Sequence, residues 1–188
     1  MKKYVFITLV LIVALFFSCK TNDTGTDDKG IKVMAYFYPS RGSKDPGTLP
    51  LDKLTHIIYS FTEVIDNEMK FKDDSSEIKL KMLVKERWKH PHLKVMIACG
   101  GWGGSGGFSE MARSPENRKK FMDSVVDFIK RNKLDGLDID WEYPGMPGAG
   151  NPYIPEDKEN FTALMCELRE AMDEPGKVFL PGITDYIR

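Results

Sequence analysis

Three carboxylic acids at alternate positions, Asp138, Asp140 and Glu142, are the residues best spaced to do chemistry in this chain. They sit in Leu134-Asp135-Gly136-Leu137-Asp138-Ile139-Asp140-Trp141-Glu142-Tyr143-Pro144, where polar and apolar residues alternate with the period of a β-strand. Leu137, Ile139 and Trp141 then share one face, and the three acids share the other. Neighbouring acids stand roughly 6.5–7 Å apart along such a strand. Enclosed together they cannot all ionise cheaply, and a protein keeps such crowding mainly for chemistry. The inner pair favours a proton on Glu142, the outermost of the row. A protonated carboxyl beside an ionised one is the arrangement that protonates a glycosidic oxygen.

The flanking segments imply that the row is enclosed rather than solvated. Before it, Ser114-Pro115 offers an N-cap with proline at the first helical position. Phe121, Val125, Phe128 and Ile129 follow as a helical stripe. After it come a Pro- and Gly-rich loop, Tyr143–Pro155, and a helix over Asp157–Asp173 with Phe161, Leu164, Met165, Leu168 and Met172 inward. A strand between two amphipathic helices is a central strand of an α/β fold.

Upstream, Ile31–Tyr38 and Leu54–Phe61 read as strands, joined by a loop over Ser40–Pro50. A helix capped by Ser75 or Ser76 runs to about Lys89, with Ile78, Met82 and Leu83 on its apolar face. Lys94–Cys99 is almost wholly apolar, as buried parallel strands are, and opens into a glycine-rich loop around Trp102. A further strand is expected at Lys177–Leu180. This alternation implies a parallel sheet, with the unusual residues gathered at the strand ends where β/α barrels place their sites.

Asp135 to Pro144 matches the D-G-x-D-x-D-W-E-Y-P signature of the family-18 glycoside hydrolases, the chitinases. Lys94–Trp102 is similar to the third strand of that family, with Ala98 where a serine is usual. Tyr36 and Ser60-Phe61 look like its first- and second-strand pocket residues. The resemblance implies a (β/α)8 TIM barrel acting on chitin or other N-acetylglucosamine oligosaccharides. The family is a substrate-assisted exception to the two-carboxylate scheme. Glu142 would protonate the leaving oxygen while the sugar's own acetamido carbonyl attacks the anomeric carbon. Asp140 would stabilise the acetamido group, and Asp138 would share a proton with Asp140. Tyr36, Phe61, Gly101, Trp102 and Tyr143 would bind substrate, with Trp102 and Tyr143 stacking on sugars. Asp135 and Gly136 would be structural. The mechanism needs no metal and no cofactor. The resemblance also implies cis peptides at Ser60–Phe61 and Glu142–Tyr143. An endo-β-N-acetylglucosaminidase acting on glycoprotein glycans is an alternative within the family.

Rival chemistries fit the spacing less well. Gly101-Trp102-Gly103-Gly104-Ser105-Gly106 formally matches a dinucleotide fingerprint, but its glycines should open a helix directly, and the next helix is expected only near Pro115. A flexible loop beside a substrate cleft is the better reading. Asp138-x-Asp140-x-Glu142 could draw a divalent cation, but Tyr143 stands where an EF-hand needs glycine. His56, His90 and His92 have no metal-ligand spacing and read as one strand residue and two surface loop residues. A net charge of −1 without a basic cluster gives no reason to expect nucleic acid.

The N-terminus reads as an export signal. Lys2 and Lys3 precede an apolar run from Tyr4 to Phe17, too short for a comfortable membrane span. Ser18-Cys19 resembles the bacterial lipobox, in which cleavage leaves a lipid-modified cysteine. This implies a signal peptide over 1–18, a membrane-anchored Cys19, a polar tether over 19–30 and a cell-envelope lipoprotein. Plain secretion is the alternative. Cys99 and Cys166 read as buried thiols, since two unrelated cysteines make a weak disulfide case.

The domain over 31–188 has roughly 160 residues, against about 250 for a whole barrel. About five strands are legible where eight are needed. The family's Met-x-Tyr-Asp motif and its eighth-strand tryptophan are not found in the chain, and Thr184-Asp185-Tyr186 has the wrong order to replace the former. The domain therefore reads as the N-terminal part of a barrel. A catalytically inactive or sugar-binding remnant stands beside the hydrolase reading.

Overall fold

The computed structural model describes residues 30–39 and 44–173. The expected signal peptide, Cys19, the tether up to residue 29, the Lys177–Leu180 strand and Thr184-Asp185-Tyr186 lie outside the described residues.

The described residues form five strands and four helices, in the order β1 Met34–Phe37, β2 His56–Ile65, β3 Glu68–Lys70, α1 Asp74–Lys85, β4 Lys94–Gly100, α2 Phe108–Ala112, α3 Pro115–Asn132, β5 Gly136–Asp140 and α4 Asp157–Asp173. The parallel order is β1-β2-β4-β5. Residues fall into register across it. Phe37, Tyr59, Ile97 and Leu137 form one row, and Tyr36, Ile58, Met96 and Gly136 the next.

Alternation along each strand sends these rows to opposite faces. The first row joins a large core with Leu80 and Leu83 of α1, Phe121, Val125, Phe128 and Ile129 of α3, and Leu164 and Leu168 of α4. Ile58, Met96 and Ala98 form a separate small cluster on the other face, with Phe61 against it. The helices thus bury one face of the sheet. Four parallel strands with helices on one side are four consecutive units of a (β/α)8 barrel wall.

The capping of α3 is as the sequence predicts, with Ser114 Oγ accepting from the Asn117 amide at 3.2 Å. For α1 the cap is Asp73 rather than Ser75 or Ser76. Its carboxylate accepts from the Ser76 amide, and both serine hydroxyls turn back to donate to it. A charged acceptor at the positive end of the helix outcompetes a hydroxyl. The inward face of α1 agrees with expectation at Leu83 and differs at Ile78 and Met82. Ile78 and Met82 are exposed at 61% and 43%, while Leu80 and Leu83 are fully buried. Ile78 and Leu80 are about 200° apart on the helix, so only one can face the core.

Four elements named here were not read from the sequence. Asp66 and Asn67, both with positive φ, form a two-residue turn that extends β2 into an antiparallel hairpin with β3. The segment Ser40–Pro50, expected as plain loop, contains a 3-10 turn at Pro46–Thr48 and runs into another at Leu51–Lys53. The helix α2 begins at Phe108, ahead of the helix expected near Pro115. Cys99 is fully buried and Cys166 partly so. Among the described residues, no helix is long and apolar enough to cross a membrane.

Candidate active site

Asp138 and Asp140 project from β5 on the face away from the helices, opposite Leu137 and Trp141, which enter the large core. Trp141 stacks on Phe108 at 5.2 Å and meets Phe161 edge-on, which fixes the strand from behind. The strand is shorter than its alternation implies. It ends at Asp140, because its partner β4 ends opposite at Gly100. Gly100 and Gly101 both take positive φ there, and the Gly101 amide donates to the Asp140 carbonyl at 2.8 Å. A Cβ on Gly100 would lie 2.4 Å from that carbonyl oxygen, so only glycine fits. Glu142 therefore stands just beyond the strand, at its C-terminal mouth.

Tyr36 of β1 donates through its hydroxyl to Asp138 Oδ2 at 2.6 Å. The two residues belong to the first and fourth strands of the parallel order. On a flat sheet those strands would be roughly 14 Å apart, too far for side chains standing upright on one face to meet. The bond shows that the sheet curves around this face, as a barrel wall does. Ala98, paired in register with Asp138, leaves the intervening surface low.

Burial shapes the electrostatics of the row. It raises the pKa of Asp138 above the ordinary carboxylate value, opposed by the Tyr36 hydrogen bond. Asp140 is raised too, first by burial and then by the charges of Asp138 and Glu142. Burial, with the nearby acids, likewise drives the Tyr36 phenol upward. No hydrogen bond or ion pair occupies the Glu142 carboxyl among the described residues.

Around the mouth, Trp102 and Tyr143 are exposed and meet edge-to-face with ring centroids 6.2 Å apart. Phe61 lies lower. It packs on Ile58, Met96 and Ala98, beneath Gly101, with Tyr38 6.2 Å away. Both expected non-proline cis peptides are present, at Ser60–Phe61 and Glu142–Tyr143. Asp135 lies apart from the row at the strand's entry. It accepts from Arg87 at 2.7 Å and from the Val95 amide at 2.8 Å, with Lys94 at 3.6 Å. Gly136 is buried beside Met96. Among the described residues, no group of three or more His, Cys, Asp or Glu side chains could hold a metal ion.

Two residues at the mouth escaped the sequence reading. Ser105 is fully buried, and its hydroxyl accepts from the Glu142 amide at 3.0 Å. Asn151 donates to the carbonyls of Trp102 at 3.0 Å and Glu142 at 3.3 Å. The loop carrying Ser105, expected beside a substrate cleft, contains local structure that the sequence did not suggest. It closes into a 3-10 turn at Ser105–Gly107. Gly107 approaches β2 so closely that a Cβ there would lie 2.2 Å from the Val64 carbonyl oxygen. A serine in a glycine-rich loop and an asparagine in a Pro-rich one carry no periodic signal, so only the three-dimensional contacts reveal them.

Comparison with known proteins agrees with this geometry. The family model of glycosyl hydrolases family 18 matches residues 32–185. An endochitinase of Manduca sexta is 38% identical over 149 residues, covering 76% of this chain and 26% of that protein. The crystal structure of a Rhizomucor miehei chitinase superposes with a TM-score of 0.64 at 35% identity, covering 75% of this chain and 44% of that one. The Bacillus thuringiensis chitinase ChiA74 gives 0.72 at 26% identity, covering 79% and 34%. The chain thus spans less than half the length of these relatives. With the barrel wall, the acidic strand and the family match in agreement, the chain belongs to glycosyl hydrolases family 18.

Proposed function

We propose that this chain carries the proton-donating half of a site that hydrolyses β-1,4-linked N-acetylglucosamine polymers, chitin or its oligosaccharides. The observation that carries the reading is the acid row itself. Asp138 is held by Tyr36, Asp140 stands above it, and the Glu142 carboxyl is unengaged at the mouth, where Trp102 and Tyr143 are exposed.

In the first step Glu142 gives its proton to the glycosidic oxygen as the bond to the anomeric carbon breaks. The acetamido oxygen of the same sugar forms a new bond to that carbon, giving an oxazolinium ion. Asp140 stabilises the positive charge, and a proton shared with Asp138 sets its orientation. Water then attacks the anomeric carbon from the face the leaving group vacated, as that carbon's bond to the acetamido oxygen breaks and the acetamido group is restored. Glu142 takes the water's proton, so the configuration is retained. Trp102 and Tyr143 supply flat apolar surfaces for the sugar rings. The raised pKa values of Asp138 and Asp140 favour one proton held between them.

Glu142→Gln should lower chitooligosaccharide turnover by about 10²-fold or more. A chitosan oligosaccharide without acetyl groups should not be cleaved, because it lacks the internal nucleophile. Full activity in Glu142→Gln, or cleavage of the deacetylated substrate, would overturn the mechanism. Sugar binding without turnover by the unaltered chain would instead support a binding role.

Export and anchoring through Cys19 complete the proposal. Its support is the sequence of Lys2-Lys3, the apolar run and Ser18-Cys19. Cys19→Ser should abolish palmitate labelling and move the protein from the membrane fraction to the soluble one. Labelling that survives the substitution would exclude Cys19 as the lipid site.

A further inference from the structure

We infer that Ser105 and Asn151 form a two-sided clamp on the main chain of Glu142, which fixes the direction in which its carboxyl presents a proton. The inference rests on the hydrolase reading above and assigns positioning roles to two residues outside the acid row.

The clamp follows from where the strand stops. β5 ends at Asp140, so no sheet hydrogen bonds are left to hold Glu142. Its amide and its carbonyl need other partners, since an unpaired backbone group in a half-buried position is costly. Ser105 provides one side. Its oxygen accepts from the Glu142 amide at 3.0 Å, and its hydroxyl faces the carbonyls of Gly101 at 2.9 Å and Asp140 at 3.1 Å. One fully buried hydroxyl thus joins the end of β5 to the turn that leaves β4.

Asn151 provides the other side. Its amide nitrogen reaches the Glu142 carbonyl at 3.3 Å and the Trp102 carbonyl at 3.0 Å. The loop over Tyr143–Pro155 is moulded to the same carbonyl. A Cβ on Gly148 would lie 2.6 Å from the Glu142 oxygen, and the Asn151 amide donates back to the Gly148 carbonyl at 2.8 Å. Glu142 is therefore gripped from the glycine-rich loop on one side and from the Pro-rich loop on the other. Because Asn151 also holds Trp102, the proton donor and the exposed ring beside it are fixed as one body.

A positioning role of this kind affects only bonds whose cleavage needs a proton. Two substrates separate it from general structural support: a chitooligosaccharide, whose sugar leaving group must be protonated, and a dinitrophenyl chitobioside, whose phenolate leaves without help. Ser105→Ala and Asn151→Ala should each lower kcat/KM on the oligosaccharide by about 10- to 100-fold, the scale of a small misplacement. The aryl glycoside should change by less than about 3-fold in Ser105→Ala; in Asn151→Ala it should lose clearly less than the oligosaccharide, the loosened Trp102 weakening both substrates alike. Equal losses on both substrates would show structural support only and would overturn the clamp as a positioning device. Asn151 is only partly buried, so its variant tests the idea even where Ser105→Ala folds poorly.

Amide exchange gives a readout independent of activity. In Ser105→Ala the Glu142 amide should exchange about 10-fold faster or more, while the amides of α3 keep their protection. An unchanged Glu142 rate would overturn the clamp. Glu142→Gln measured alongside keeps the two readings apart. If Glu142→Gln loses oligosaccharide turnover and both clamp variants retain it, the clamp alone fails. If Glu142→Gln retains turnover, the hydrolase reading beneath it fails.

Discussion

At Asp138, burial and the Tyr36 hydrogen bond act on one proton with opposite sign. Burial wins, so the folded-state pKa lies above the unfolded value near 3.8. Between these two values the folded protein holds more protons than the unfolded chain, so stability falls as pH rises through that window. Above it the cost of a buried charge is present in full. Asp138→Asn removes the charge and keeps an oxygen that can accept from Tyr36. It should raise Tm at pH 7, by about 2–4 °C per kcal/mol recovered. The gain should vanish below the unfolded value, where wild-type Asp138 is neutral in both states. Calorimetry at the two pH values checks this, and a lower Tm at pH 7 would mean that the charge is compensated. In Tyr36→Phe the downward influence is gone, so Asp138 should titrate at higher pH than in the unaltered protein, as followed by carboxyl-carbon NMR. The types and spacing of the acid row were legible in the sequence because strand alternation places side chains without help from distant residues. The Tyr36 bond was not, because it depends on curvature accumulated over three strand pairings.

The parallel strands, α3 and α4 follow from local pattern, each from a clear apolar period or a continuous apolar run; β3, three residues long, does not. The face of α1 did not, for a reason that its own residues show. Ile78 and Met82 make one apolar stripe and Leu80 and Leu83 another, and the choice between them belongs to the sheet they pack against. Leu80→Ala should cost about 2–5 kcal/mol by leaving a cavity, whereas Ile78→Ala should stay within about 0.5 kcal/mol as a surface change. Equal costs in chemical denaturation would put the wrong stripe in the core. The glycine-rich loop allows a similar test within one element. Gly100→Ala sets a Cβ against the Asp140 carbonyl at a φ of +112°, while a Cβ on Gly103 meets nothing within 4 Å. The first should destabilise by about 2 kcal/mol or more, and the second should be nearly silent. The sequence shows eight residues rich in glycine and cannot say which are obligatory, because the neighbours that forbid a side chain come from β2 and β5.

For the molecule as a whole, the two sides of β1 pose different physical problems. One side pairs with β2. Along the strand and its approaches, Ile31, Val33, Met34, Tyr36 and Tyr38 are exposed at 87%, 43%, 36%, 60% and 67%. In a closed barrel every strand has two neighbours and no edge remains. In the described residues the order starts at β1 and pairs it with β2 alone, and these side chains are exposed. Between Ile31 and Tyr38 this edge carries one charge, Lys32, and no proline, and an otherwise apolar edge of this kind is a template for pairing with another chain. Expressed by itself, this chain should therefore self-associate with rising concentration, as followed by sedimentation velocity. Val33→Lys should weaken that association, because a charge on an edge strand resists strand addition. The same substitution should leave Tm nearly unchanged, since Val33 lies outside the core. A chain that stays monomeric at high micromolar concentration, or a Val33→Lys variant that associates as before, would show that β1 is not the adhesive surface. Association through β1 would also act on the site. Tyr36 lies on this strand and holds Asp138, so a partner strand docked there would alter the titration of the acid row.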